Sequence, residues 1–225
     1  TGTKGKGTTS TLIYEILKNS RKDAYLAGNI GTPALDILPD LKKDSIVVLE
    51  LSSFQLIDLT KSPHVGVALM ITSEHLDWHK DEKEYVQAKE SIVKYQNTND
   101  VAILNFDFPA SKEMAKMTKG RVFYFSTKEK VKGAYLNGDR LLFNFQNEEE
   151  IAKSNDVRLR GKHNLQNVLA ASLASHLLGI DTANINRTVK SFKGLAHRLQ
   201  EVSQVNGVTY INDSYSSTPE TTMAA

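Results

Sequence analysis

The run Thr1-Gly2-Thr3-Lys4-Gly5-Lys6-Gly7-Thr8-Thr9 sets lysines among glycines and threonines directly ahead of a helical pattern. Residues this small let backbone N–H groups close around phosphate oxygens, a lysine reaches the outer phosphates, and the start of the next helix adds a positive dipole end. The run reads as a phosphate-binding loop in which Gly2, Thr3, Lys4, Gly5, Lys6, Gly7 and Thr8 touch a nucleotide. The complete motif has one more glycine ahead of Thr1 and a strand leading into it, so the sequence is expected to start inside its own active site, as an excerpt of a longer protein. Glycine-rich turns with a lysine also occur as ordinary loops, and other residues must decide between the two.

Glu50 bears on that choice. It ends the apolar run Ile46-Val47-Val48-Leu49, and an acid at the C-terminal end of a buried strand lies where open α/β sheets hold their ligands. There it can hold the Mg²⁺ that bridges ATP phosphates. The alternative is a carboxylate capping the next helix beside Ser52 and Ser53; the loop favours the metal. Ser73-Glu74-His75-Leu76-Asp77-Trp78-His79 follows a second apolar run and brings two histidines and two acids, enough to ligate a metal or handle protons, or else to form a polar loop capped by Asp77. Lys89, on a polar helix beyond, reads from position alone as a solvated side chain. Gly161-Lys162-His163-Asn164-Leu165-Gln166-Asn167 opens the most regular helix, with Asn164 as a natural N-cap; the amides of Asn164 and Asn167 also suit an adenine edge, though the structural reading is the stronger. His197-Arg198 and the stretch from Asp213 to Pro219 lie at a candidate domain junction, where a cation and a carboxylate are placed to meet phosphates.

The elements that must position these residues alternate. A helix is predicted over 8–19, strands over 46–49 and 65–71 with short helical segments between, a polar helix over 82–95, a strand over 101–104, a helix over 110–117 and a strand over 122–125. Continuous apolar runs point to strands buried on both faces, so the fold class is α/β, a phosphate-loop protein with a mostly parallel sheet flanked by helices. Asn137-Gly138-Asp139 signals a hairpin and hence a small antiparallel extension. Helices starting near Asn164 and over 182–192 follow, the first stopped by Gly179, and a last hairpin turns at Asn206-Gly207. A domain boundary is placed near Gly194: 1–194 form the nucleotide-binding domain and 195–225 the beginning of a second.

The 225 residues are 40% hydrophobic and 24% charged, with net charge +2 and interleaved signs, which gives no field for nucleic acid or anionic membrane. No apolar stretch approaches the roughly 18 residues of a bilayer span. The absence of cysteine excludes disulfides, thiolate metal sites and a cysteine nucleophile, and suits a reducing cytoplasm.

In order along the chain, the blocks GTKGKGTT, GNIGTPAL, ELSSFQL, EHLDWH, AK, GKHNLQN, GLAHRLQE and DSYSSTP resemble the Mur ligase family and its folylpolyglutamate synthetase relatives. Blocks 28–35 and 50–56 look most like the branch that adds D-glutamate to a peptidoglycan precursor. The resemblance implies a three-domain cytoplasmic enzyme, here its central ATP-binding domain and the start of its amino-acid-binding domain. It implies ATP and Mg²⁺ as cofactors and UDP-N-acetylmuramoyl-L-alanine and D-glutamate as substrates, joined through an acyl phosphate, in a monomer without nucleic-acid or membrane partners. By resemblance Lys6, His75 and Lys89 are catalytic. Lys6, Glu50 and Thr8 serve ATP and a first Mg²⁺, His75 holds a second, and Lys89 becomes a CO₂-derived carbamate supporting that metal. Asn164 and Asn167 match the adenine side, Arg198 and Asp213 nucleotide contacts at the junction, and Asn29 and Ser53 positions near the UDP sugar. Three residues depart from the family pattern: Gly7 stands where Ser or Thr usually ligates Mg²⁺, Tyr215 where glutamate-adding members often carry Lys, and Glu74 where Asp is usual. Another Mur ligase or a folylpolyglutamate-type enzyme shares the chemistry. Gly7 and Tyr215 motivate a further alternative, a nucleotide-binding module without catalysis, against which His75 and Lys89 argue.

Overall fold

The computed structural model describes residues 1–72 and 79–216. After the loop come α1 (Lys6–Asn19), β1 (Ala24–Gly28), β2 (Ile46–Glu50), α2 (Ser53–Leu56), β3 (Val65–Ala68), α3 (Glu82–Lys94), β4 (Val101–Asn105), α4 (Pro109–Glu113) and β5 (Arg121–Ser126). The chain continues through β6 (Gly133–Asn137), β7 (Arg140–Asn144), β8 (Glu148–Lys153), α5 (Asn164–Leu177), α6 (Thr182–Ser191), β9 (Gln200–Val205) and β10 (Val208–Asn212). Strands β3 to β8 form one sheet in sequence order, parallel from β3 to β6 and antiparallel from β6 to β8.

β4 shows why the class was legible. All five of its residues are buried; Val101 and Ile103 join the core formed with α1 and α5, while Ala102 and Leu104 join a second core with Tyr85, Ile92 and Val93 of α3. A strand covered by helices on both faces has no polar side to show, hence the unbroken apolar run. Two strands were not anticipated. β1 reads Ala-Tyr-Leu-Ala-Gly, a weak strand signal, and β8 opens on three exposed glutamates before burying Ile151 and Ala152.

β1 and β2 pair only with each other, in parallel, rather than joining the main sheet. β2 is accordingly less enclosed than its apolar run suggested, with Leu49 exposed. An apolar cavity of about 350 Å³ is lined by Val47, Val48 and Leu49 on one side and Val65 and Val67 on the other. The loop residues sit along the β3 side: the Thr1 carbonyl accepts from Leu69 N at 2.9 Å and Thr3 N donates to the Met70 carbonyl at 2.7 Å.

β9 and β10 form a separate antiparallel hairpin whose turn, Asn206-Gly207, has φ of 50° and 80°. Two left-handed residues match the twist of such a ribbon. Val202, Val205, Val208, Tyr210 and Ile211 of this hairpin are exposed. No helix among the described residues is long and apolar enough to cross a membrane.

Candidate active site

α1 starts at Lys6, and Gly5 is its N-cap with φ of 86°. A side chain at residue 5 is excluded twice over, because left-handed backbone disfavours a Cβ and that atom would lie 2.2 Å from Asn167 Oδ1. The loop is thereby pressed against α5, and Thr9 Oγ1 donates to the same Asn167 oxygen at 3.3 Å. Lys6 folds back over the loop, its Nζ donating to the Gly2 carbonyl at 3.0 Å and the Thr3 carbonyl at 3.3 Å. Gly7 has ordinary backbone; a Cβ there would meet the Ile30 and Leu195 methyl ends at 3.1 and 3.3 Å. Local packing gives the small residue a reason unconnected with metal binding.

Lys89 does not lie in solvent, as its position in a polar helix had suggested. It is 1% exposed; its Nζ stands 4.4 Å from the Tyr85 ring centroid and reaches the Gly2 carbonyl at 3.5 Å, so two lysines converge on one loop carbonyl. Glu50 is buried, and its Oε1 has no hydrogen-bond partner among the described residues. The capping alternative for Glu50 falls, because α2 is capped by Ser52 and Gln55, whose side chains satisfy each other's backbone N–H groups. A buried, unpartnered carboxylate oxygen on a residue that lines the same cavity as Lys6 suits Mg²⁺, which binds one or two carboxylates and completes its shell with water and phosphate.

Tyr85 was missed from sequence. The Thr3 hydroxyl donates to the Thr72 carbonyl at 2.9 Å and accepts from Thr72 N at 3.0 Å, so in its 3.0 Å contact with Tyr85 the phenol must be the donor. Tyr85 thus ties the loop to α3, while the Thr3 hydroxyl ties it to the segment after β3, and Lys89 Nζ lies over the Tyr85 ring. Its i, i+4 spacing from Lys89 on one helix was the available signal. His79 is buried, stacked on Phe54 at 5.6 Å and bonded through Nε2 to Ser53 Oγ at 2.9 Å, so the Ser53 hydroxyl is engaged within the fold. Asn29 is exposed just beyond β1, and its backbone N donates to the Glu50 carbonyl at 2.8 Å. His75, Glu74 and Asp77 lie outside the described residues, and among those described no three His, Asp or Glu side chains group as a metal cage.

A cavity of about 360 Å³ opens on the other side of the loop, lined by Lys4, Gly5, Thr8, Asn164, Asn167, Arg198, Asp213 and Tyr215. Asn164 is not the N-cap. That position is His163, which makes no side-chain cap bond, and Asn164 instead donates to the Arg160 carbonyl at 2.6 Å while accepting from Asn167 Nδ2 at 2.7 Å. The two amides therefore form a fixed pair facing the cavity. His163, also on its wall, has its pKa lowered by burial, with Asp213 opposing. Arg198 lies 5.0 Å from the Tyr215 ring, and Asp213 accepts from Leu199 N at 2.9 Å and from Ser216 Oγ.

The Mur ligase middle-domain profile matches residues 1–175. The chain belongs to the Mur ligase family. It is 45% identical over 226 residues to a protein of Acetivibrio thermocellus named UDP-N-acetylmuramoylalanine--D-glutamate ligase, covering 100% of this chain and 48% of that one. The chain spans about half the length of the curated Mur ligases it matches. Among solved Mur ligases it superposes on MurF from Acinetobacter baumannii with a TM-score of 0.78 at 22% identity, covering 99% of this chain and 51% of that one. It also superposes on MurF from Thermotoga maritima in complex with ADP, with a TM-score of 0.72 at 24% identity and coverage of 99% and 54%. At such identity the Mur ligase fold is what these two structures share with the chain.

Proposed function

We propose that this chain is the ATP-binding part of a ligase that joins UDP-N-acetylmuramoyl-L-alanine to D-glutamate in peptidoglycan synthesis, with 1–194 as the central domain and 195–225 the start of the amino-acid-binding domain. The observation that carries it is the 45% identity along the whole chain to a relative of that name. The substrate carboxylate attacks the ATP γ-phosphorus and ADP leaves. The D-glutamate amine then attacks the acyl phosphate, phosphate departs, the amine loses a proton and the amide forms.

The chain's own residues bring anions together and hold their charge. Lys6 exchanges the Gly2 and Thr3 carbonyls for phosphate oxygens. Loop N–H groups and the start of α1 face the same phosphates. Asn164, Asn167, Arg198 and Asp213 receive the nucleoside side in the cavity they line. Glu50 and Thr8 would hold Mg²⁺, which when bound neutralises phosphate charge. Lys89, buried beside the loop, is the proposed carbamate site, and His75 the proposed second metal ligand. Asn29 and Ser53 stand at the UDP-sugar side. The enzyme works as a cytoplasmic monomer on small molecules; net charge +2 supports the absence of nucleic acid.

Lys6→Ala and Lys89→Ala in the complete protein test these roles. Each is expected to lower ATP-dependent turnover at least about a hundredfold while far-UV circular dichroism stays unchanged. Unchanged turnover in Lys6→Ala removes the phosphate-loop assignment, and unchanged turnover in Lys89→Ala removes the carbamate.

A further inference from the structure

Behind the loop lies a closed ring of hydrogen bonds. Asp107 N donates to Asn105 Oδ1 at 3.0 Å, Asn105 Nδ2 donates to Gln166 Oε1 at 3.1 Å, and Gln166 Nε2 donates to Asp107 Oδ2 at 3.1 Å. The amide orientations are forced, because a backbone N–H needs the Asn105 oxygen and a carboxylate needs the Gln166 nitrogen. β5 and the residue after it hold the carboxylate: Ser126 Oγ donates to Oδ1 at 2.5 Å, and Thr127 N and Oγ1 donate to Oδ2 at 2.9 and 2.8 Å. Gln166 thus anchors the first turn of α5 to the ends of β4 and β5. That turn has no side-chain N-cap, so nothing of that kind fixes it otherwise. The same turn carries Asn164 and Asn167, and Asn167 meets the loop at Gly5 and Thr9. Gln166, Asn105, Asn167, Lys4 and Gly5 line one small cavity, so ring and loop are neighbours.

We propose that Asp107 and Gln166 are positioning residues that hold the Asn164 and Asn167 amides and the phosphate loop in nucleotide-binding register. The proposal rests on the nucleotide site described above. Neither side chain touches nucleotide; both act through Asn167. Loss of the ring lets the first turn of α5 shift, and the loop loses the surface against which Gly5 is seated.

Calorimetric titration of the complete protein with ADP and Mg²⁺, paired with thermal unfolding, tests it. Gln166→Met and Asp107→Asn are each expected to weaken ADP about tenfold, the effect of one buried hydrogen bond. Asn186→Leu is the control, removing an amide bonded to the Ile151 carbonyl at 2.6 Å on α6; it is expected to lower the unfolding midpoint and leave affinity unchanged. ADP affinity within twofold of the parent in either variant of the ring, once folded, overturns the proposal. Should Gln166→Met not fold, Asp107→Asn, which keeps the side chain's shape, decides. A complete parent protein that fails to bind ADP overturns the nucleotide site itself, a failure visible before any substitution is made.

Discussion

At the residue scale, chemistry and packing make separate demands on the loop. Gly7 was the least expected residue in the motif, and the structure gives it a steric neighbourhood of Ile30 and Leu195 whose side-chain ends can yield slightly. Gly7→Ser is therefore expected to fold with stability within about 1 kcal/mol of the parent, since its backbone is ordinary and a helix prefers serine to glycine. Its hydroxyl should also tighten Mg²⁺-dependent nucleotide binding. Urea unfolding and a titration with and without Mg²⁺ check both; weaker binding would mean that the contact with Leu195 matters more than the hydroxyl. That Glu50 ends a strand and Lys6 stands where the loop meets a helix could be read from the sequence, because a strand end and a loop are local features. The burial of Lys89 could not be read from its position in a polar helix, because it comes from Tyr85 and from a loop far away in sequence. Tyr85 escaped notice because a tyrosine on an amphipathic helix looks like core.

At the element scale, helix ends were read less well than helix bodies. Asn164 has the right chemistry for an N-cap, but the Arg160 carbonyl and Asn167 claim its side chain, and capping passes to His163 without a side-chain bond. Tertiary partners outbid the local preference. The far end of α5 behaved as expected, with Gly179 at φ of 81° just past the last turn. In that last turn His176 packs against Phe143 and Phe145, ring centroids 4.4 and 5.1 Å away, and burial lowers its pKa from 6.5. The folded state then binds fewer protons than the unfolded chain, so the stability this histidine allows is present above about pH 6.5 and is lost as pH falls through its folded value. His176→Phe is expected to flatten the loss of stability between about pH 7 and 5, read by urea unfolding at each pH; an unchanged slope would assign acid sensitivity elsewhere, for example to His163.

At the scale of the whole molecule, the α/β class and the parallel order of β3 to β6 followed from apolar runs such as 101–105, which need helices on both faces. The separate β1–β2 pair did not follow, because pairing partners are a tertiary choice that a run such as Ile46-Val47-Val48-Leu49 does not encode. The loop stands between two compartments. Lys6, Glu50 and Lys89 gather on one side, and the amide pair, Arg198 and Asp213 line the cavity on the other, a division suited to separating phosphoryl transfer from nucleoside recognition. Tyr215 stands where the family's D-glutamate branch often carries lysine, so the amino acid added is what a measurement must decide. The direct measurement is ATP-dependent phosphate release by the complete protein with UDP-N-acetylmuramoyl-L-alanine and a panel of D-glutamate, L-lysine, diaminopimelate and a folate substrate. Release that depends on D-glutamate is the predicted result; release with L-lysine, diaminopimelate or folate but not with D-glutamate would contradict it.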